Sequence, residues 1–308
     1  MNRLSVSAIT LLAPVLVFAY YSPQQTLPDL SSCAHQPSVY SCENTTVIKN
    51  TCCSPTPGGL VLQTQYWDTW TGFEHKGQVL PEGSWTIHGL WPDNCDGSYE
   101  QYCDFSRQYD PNPSPTALPN GTVIPPYHGP GVDTFVKEFG RYDLLRTMNQ
   151  YWVSQGSPNN AFWAHEFSKH ATCTSTFDVA CYGPQYKEHQ DVVNFFDAVV
   201  RAFKYFPTFD MLASFGIVPS NKTSYPLSQI ENAVFSQTGA IPYFGCVSNG
   251  TVLSEVWYFN HVYGTEQYGV YKTINSTTAS TCSSTKPIWY YERNPGSERS
   301  VEHPYYSR

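Results

Sequence analysis

Leu60-Val61-Leu62-Gln63-Thr64-Gln65-Tyr66 alternates: Leu60, Leu62, Thr64 and Tyr66 share one face, Val61, Gln63 and Gln65 the other. The period of two predicts a strand whose glutamine face looks into a cleft. Residues 84–87 read as another short strand, which puts His88 at a strand end. The period then changes. Residues 133–152 carry Phe135, Phe139, Tyr142, Leu145 and Met148 at helical spacing. A second helix, capped by Asn159 or Asn160, runs through Phe162 to His170. Residues 185–206 form a third, with Val192, Phe195, Phe196, Val199 and Phe203 on its buried stripe. Ser228-x-x-Glu231 is a capping box for a fourth. Residues 252–262 and 268–273, parted by Gly264, return to strand character. Strands at both ends with helices between them predict an α+β fold, a central antiparallel β-sheet packed with several α-helices.

Cross-links are expected to reinforce it. The chain has ten cysteines, Cys33, Cys42, Cys52, Cys53, Cys95, Cys103, Cys173, Cys181, Cys246 and Cys282, an even number that permits five disulfides. That usage belongs to an oxidising compartment, and the amino terminus agrees. Arg3 precedes a 12-residue apolar run over 8–19 that ends in small residues, the pattern of a secretory signal peptide spanning 1–19. The run is short for a membrane span, and Pro14 interrupts it, which argues against a retained anchor. Sequons at Asn44, Asn120, Asn221, Asn249 and Asn275 are candidate glycan sites and hence surface positions. Residues 20–291 are read as one domain, with the Pro-rich stretch 110–130 as a loop inside it, and the polar, aperiodic residues 292–308 as a loosely ordered tail.

The net charge of −8 argues against a protein that grips duplex nucleic acid through its phosphates. An aromatic content of 16% permits a different mode, stacking on a short single strand, and in acid the nine histidines gain charge.

The chemistry is concentrated in Ile87-His88-Gly89-Leu90-Trp91-Pro92 and His165-Glu166-Phe167-Ser168-Lys169-His170. On a helix, Glu166 shares a face with Lys169 and His170, while His165 points roughly 140° from His170 at about 100° per residue. One extra residue between the histidines and the repulsion of a metal cation by the lysine argue against a zinc site of the H-E-x-x-H kind, so no metal or cofactor is expected. A serine or cysteine nucleophile is also poorly supported: there is no G-x-S-x-G, and the even cysteine count leaves no obvious free thiol. Two imidazoles that titrate near neutrality suit paired acid–base catalysis. RNA supplies its own nucleophile, the 2′-hydroxyl, so an enzyme without one fits this inventory. The residues alone leave open which imidazole is the base. They also leave open a binding protein that kept the fold without catalysis, against which intact His88, Glu166, Lys169 and His170 argue, and a carbohydrate-binding protein. His35, His75, His128, His189, His261 and His303 lack clustered partners and read as surface or core residues.

These two segments, the second continued through Ala171-Thr172-Cys173, resemble the paired active-site segments of the ribonuclease T2 family, in its secreted fungal form. Phe167 and Ala171 depart from the family's usual Trp and Gly, which bears on packing. The resemblance implies a secreted or vacuolar endoribonuclease acting on single-stranded RNA, not DNA, as a monomer with weak base selectivity and no attachment to membrane after signal removal. By matched position, His170 takes the 2′-hydroxyl proton and His88 protonates the leaving 5′-oxygen, giving a 2′,3′-cyclic phosphate that water then opens to a 3′-phosphate. His165 holds the phosphate; Glu166 and Lys169 stabilise the phosphorane. Trp91, Asp93 and Tyr99 resemble one base pocket, Gln65 and Phe162 parts of a second. The implied bridges are Cys33–Cys53, Cys42–Cys95, Cys52–Cys181, Cys103–Cys173 and Cys246–Cys282, with the Cys52 and Cys53 partners open to exchange.

Overall fold

The structure, a computed structural model, describes Cys33, residues 39–43 and residues 48–300. The expected leader, Asn44, His35 and His303 lie outside the described residues. Among the described residues no helix is long and apolar enough to cross a membrane.

Among the described residues seven strands form one sheet. Its middle is β1 (Leu60–Tyr66), flanked antiparallel by β3 (Thr86–Asp93) and by the long β6 (Val252–Tyr263). On its other side β6 pairs antiparallel with β5 (Tyr243–Val247) and β7 (Val270–Ile274), and meets β8 (Ile288–Trp289) in parallel; β8 carries β4 (Ser224–Tyr225). The α+β class and the mainly antiparallel sheet are as the sequence implies. Six α-helices among the described residues cover the sheet: α1 (Val132–Glu138), α2 (Tyr142–Tyr151), α3 (Asn159–Lys169), α4 (Gln190–Tyr205), α5 (Thr208–Ala213) and α6 (Leu227–Thr238).

Several boundaries differ from the sequence reading. The helix expected over 133–152 is two, because Gly140 adopts the left-handed conformation (φ +68°) that ends the first. The third expected helix begins only at Gln190. Residues Val179–Gln185 wind as 3-10 turns, and left-handed His189 starts the α-helix. All five residues named for its stripe are buried. Prolines, not side-chain caps, start α3 and α6: Pro158 and Pro226 hold the N-cap positions. Asn159 instead accepts the Ser154 N–H (2.9 Å), and the Ser228–Glu231 capping box does not form. The tail is docked as far as the described residues go. The Arg293 guanidinium donates to the carbonyls of Pro81, Ser84 and Asp68 and lies 4.1 Å over the Trp67 ring, and β9 (Glu298–Arg299) pairs with β2 (Leu80–Pro81).

All five implied disulfides are present, and none of the described cysteines is free. Cys42–Cys95 fastens the chain just past β3, and Cys103–Cys173 the turn just past α3. Each closes a long loop of the unfolded chain, worth about 2–4 kcal/mol. Of the sequons, Asn120, Asn221, Asn249 and Asn275 are exposed.

The two faces of β1 have opposite fates from those expected. Val61 packs with Ile87, Leu90 and the helices, in a core filled by Trp152, Trp163, Phe167, Phe196 and Phe203. Gln63 and Gln65 lie on this same side, fully buried. They satisfy each other instead of facing a cleft. Gln65 Nε2 donates to Gln63 Oε1 (2.8 Å) and to the Phe206 carbonyl (2.9 Å), and its Oε1 accepts from Thr208 Oγ1 (2.6 Å). It is Leu62 and Tyr66 that reach the open face. Gln65→Leu should therefore lower stability by about 2 kcal/mol in urea denaturation, because Thr208 and the Phe206 carbonyl lose a buried partner; a change under about 0.5 kcal/mol would contradict that role.

Candidate active site

A bulge in β3 sets the first half of the site. Thr64 pairs with Gly89 but Gln65 pairs with Ile87, so His88 is the extra residue. Simple alternation would put Ile87 and Leu90 on opposite faces. The bulge lets both enter the helical core while His88 and Trp91 emerge together on the open face. His88 is thus inside a strand, not at its end.

α3 supplies the second half. Phe162, Glu166, Lys169 and His170 recur at helical spacing and line one cavity of about 820 Å³ with His88, Trp91 and His165. His170 is the helix's C-cap, its N–H bonded to the Glu166 carbonyl (3.1 Å). Glu166 is the hub. Its carboxylate is 1% exposed, with Oε1 3.6 Å from His88 Nε2 and Oε2 3.9 Å from His170 Nε2. The Trp91 indole donates to Oε2 (2.9 Å), stacks on the His170 ring (5.0 Å, 18°) and meets the His88 ring edge-on (4.7 Å, 87°). Gly89 leaves room for this: a Cβ there would collide with the Glu166 carboxylate and the Trp91 indole nitrogen.

Each outer imidazole has its own carboxylate. His88 Nδ1 lies 2.7 Å from Glu255 Oε1, its Nε2 3.1 Å from the Tyr66 hydroxyl, and the Tyr66 ring stacks on it at 3.9 Å. His165 Nδ1 lies 2.7 Å from Oδ2 of buried Asp110, which also accepts from Tyr102 (3.0 Å). A carboxylate at Nδ1 favours the tautomer that carries its hydrogen there, which leaves the Nε2 lone pair for other partners. Among the described residues no carboxylate stands at Nδ1 of His170. Burial first, then the charges of Lys169, His165 and His88, hold it well below the usual imidazole value. Lys169 forms no ion pair among the described residues, leaving its charge available to an anion.

The residues expected to form the base pockets divide. Trp91, Asp93, Tyr99 and Phe162 all line the cavity, and Phe162 stacks over His88 (5.8 Å, 29°). A bridge from Asp93 to Tyr99 folds the loop back on the strand end, which leaves Tyr99 65% exposed beside it. Gln65 is not part of the site, being enclosed under the sheet. Sequence reasoning missed Tyr66, Asp68, Asp110, Glu255 and Trp257. Glu255 faces Tyr66 in the β1–β6 register, a pairing across 189 positions that local spacing does not encode. Among the described residues no three His, Cys, Asp or Glu side chains cluster as a metal site.

The model of the Ribonuclease T2 family matches residues 58–286. Ribonuclease T2 of Aspergillus oryzae is 36% identical over 284 residues, covering 92% of this chain and 88% of its own. Ribonuclease Trv of Hypocrea rufa is 40% identical over 243 residues, covering 79% and 91%. The crystal structure of Actibind, a T2 ribonuclease, superposes with a TM-score of 0.69 at 34% identity, covering 83% of this chain and 96% of that one.

Burial pushes the Asp93 carboxyl from 3.8 up to about 7. The folded state then holds this proton more tightly than the unfolded chain, so the group's contribution to stability is lost as pH rises across that interval. Asp93→Asn should raise Tm relative to the parent more at about pH 8 than at about pH 5; an equal shift at both would contradict the buried-carboxyl reading.

Proposed function

Because this chain belongs to the ribonuclease T2 family and is an endoribonuclease, we propose that it cleaves single-stranded RNA in two acid–base steps, without metal or cofactor. His170 is the base of the first step. Its depressed basicity keeps the ring neutral in mild acid, ready to accept the 2′-hydroxyl proton. The 2′-oxygen bonds to phosphorus, the bond from phosphorus to O5′ breaks, and protonated His88 gives its proton to O5′. In the second step water attacks the 2′,3′-cyclic phosphate. His88 takes the water's proton as its oxygen bonds to phosphorus, the bond from phosphorus to O2′ breaks, His170 returns a proton to that oxygen, and a 3′-phosphate remains.

The observation that carries this reading is that both imidazoles lie within 4 Å of one buried carboxylate. Glu166 can balance positive charge on either ring as the proton changes sides. Lys169 and His165 supply cations for the crowded phosphorane, with about 3 kcal/mol expected from one well-placed donor. Glu255 keeps Nε2 of His88 aimed at the leaving oxygen.

Trp91 and Tyr99 offer aromatic faces to the base of the attacking nucleotide, and Asp93 a polar contact to its edge; Phe162 stands on the His88 side for the leaving nucleoside. Stacking tolerates any base, which supports weak selectivity. DNA lacks the 2′-hydroxyl and is expected to be inert. The apolar leader, the cross-links and the exposed sequons support a glycosylated protein exported to the medium or the vacuole.

His88→Phe and His170→Phe should each lower kcat by roughly 10³-fold or more, with circular dichroism unchanged. In chelator, brief digestion by the parent enzyme should give cyclic phosphate ends from RNA and nothing from DNA of the same sequence. Near-normal cleavage by either variant would overturn the assignment.

A further inference from the structure

We propose that a second cavity, opening from the catalytic one on its His88 side, binds the RNA nucleotide that follows the leaving nucleoside. The inference rests on the reading above, because the roles of His170 and His88 give the strand its direction. With the 2′-hydroxyl at His170 and the leaving 5′-oxygen at His88, the downstream strand runs away from Trp91 and Asp93, toward Phe162, Tyr66 and Asp68.

The cavity in that direction has a volume of about 400 Å³ and shares Asp68, Gln155, Val247 and Ser254 with the catalytic one. Continuity of this kind suits one strand occupying both. Its wall includes the half-buried Tyr291 ring, stacked on Trp289 at 5.5 Å with planes 8° apart. The Trp67 indole donates to the Tyr291 carbonyl (2.9 Å), and the Arg293 guanidinium lies over the Trp67 ring, so this aromatic pair sits on a fixed backbone. A braced aromatic face accepts any base by stacking. Gln155 and Asn294, both exposed at the cavity, add amides that can reach base or sugar edges.

Asp68 stands at the junction, where the second phosphate must pass. Its carboxyl makes no hydrogen bond among the described residues, and the charged groups that act on it are Arg293, His88 and Glu255. Burial, opposed by Arg293 and His88, pushes it up to about 6. In mild acid it is therefore largely neutral and able to donate to a phosphate oxygen where an ionised carboxylate would repel it.

The test uses a dinucleotide and two trinucleotides that extend it on the 3′ or the 5′ side, with 2′-deoxyribose placed so that the same single bond is cleavable in all three. Asn221 stands at the rim and is a candidate glycan site, so rates are measured before and after enzymatic removal of N-linked sugar. The 3′ extension should raise kcat/KM roughly tenfold in at least one of these states. Tyr291→Ala should reduce that gain to less than about twofold, Tyr291→Phe should keep it, and the dinucleotide rate should hold in both variants. No gain from the 3′ extension, or a gain that survives Tyr291→Ala, would overturn the proposal. A Tyr291-dependent gain from the 5′ extension would overturn it too, and would show the strand direction reversed. Dinucleotide cleavage depends on the catalytic cavity alone, so loss of the general reading would register there separately.

Discussion

A carboxylate almost sealed from water lies between two imidazoles, and much of the surrounding structure serves to keep Glu166 there. Burying an ionised group costs several kcal/mol unless partners compensate. The Trp91 indole provides one hydrogen bond, and the two rings provide compensating charge when protonated. The space itself depends on Gly89, whose missing side chain the carboxylate occupies. The bulge at His88 turns both His88 and Trp91 toward this point, and the bridges at Cys95 and Cys173 hold the chain ends leaving β3 and α3. The outer carboxylates, Glu255 and Asp110, fix the rings from behind. Proton transfer between fixed groups needs little reorganisation, and that is the source of rate in the proposed mechanism, which uses no nucleophile of the protein's own.

Local periodicity made the elements legible, and long-range pairing limited the rest. The stripe of α4 and the shared face of Glu166, Lys169 and His170 follow from helical spacing and appear as expected. The alternation in β1 gave the strand but not which face was core. Two glutamines look like a polar, open face, yet paired with each other, Thr208 and the Phe206 carbonyl they are satisfied inside. The break at Gly140 was readable in principle, since glycine readily takes the left-handed conformation that ends a helix. The partners Glu255 and Asp110 were not, because β6 and the 110–130 loop reach the site only through tertiary structure. Arg293 in the tail is a similar case: a polar, aperiodic segment docks because one guanidinium finds three backbone carbonyls.

The acidic net charge and the anionic substrate are reconciled locally. Lys169 and three histidines stand in one cavity, and two of its carboxylates, Glu255 and Glu166, are occupied by imidazoles. The field a short strand meets there is set by these groups and by the aromatic walls, not by the −8 spread over the chain. In the proposed mechanism the burial that disfavours a proton on His170 suits it to accept one, while the Lys169 charge meets the phosphate.

The most direct measurement is a crystal structure with a dinucleotide whose attacking 2′-hydroxyl is replaced by hydrogen. The phosphate is expected beside Glu166 and Lys169, with Nε2 of His88 within about 3 Å of the leaving oxygen and Nε2 of His170 facing the 2′ position across the phosphorus. A phosphate held away from either ring, with His88 and His170 serving different parts of the ligand, would contradict the shared-carboxylate mechanism.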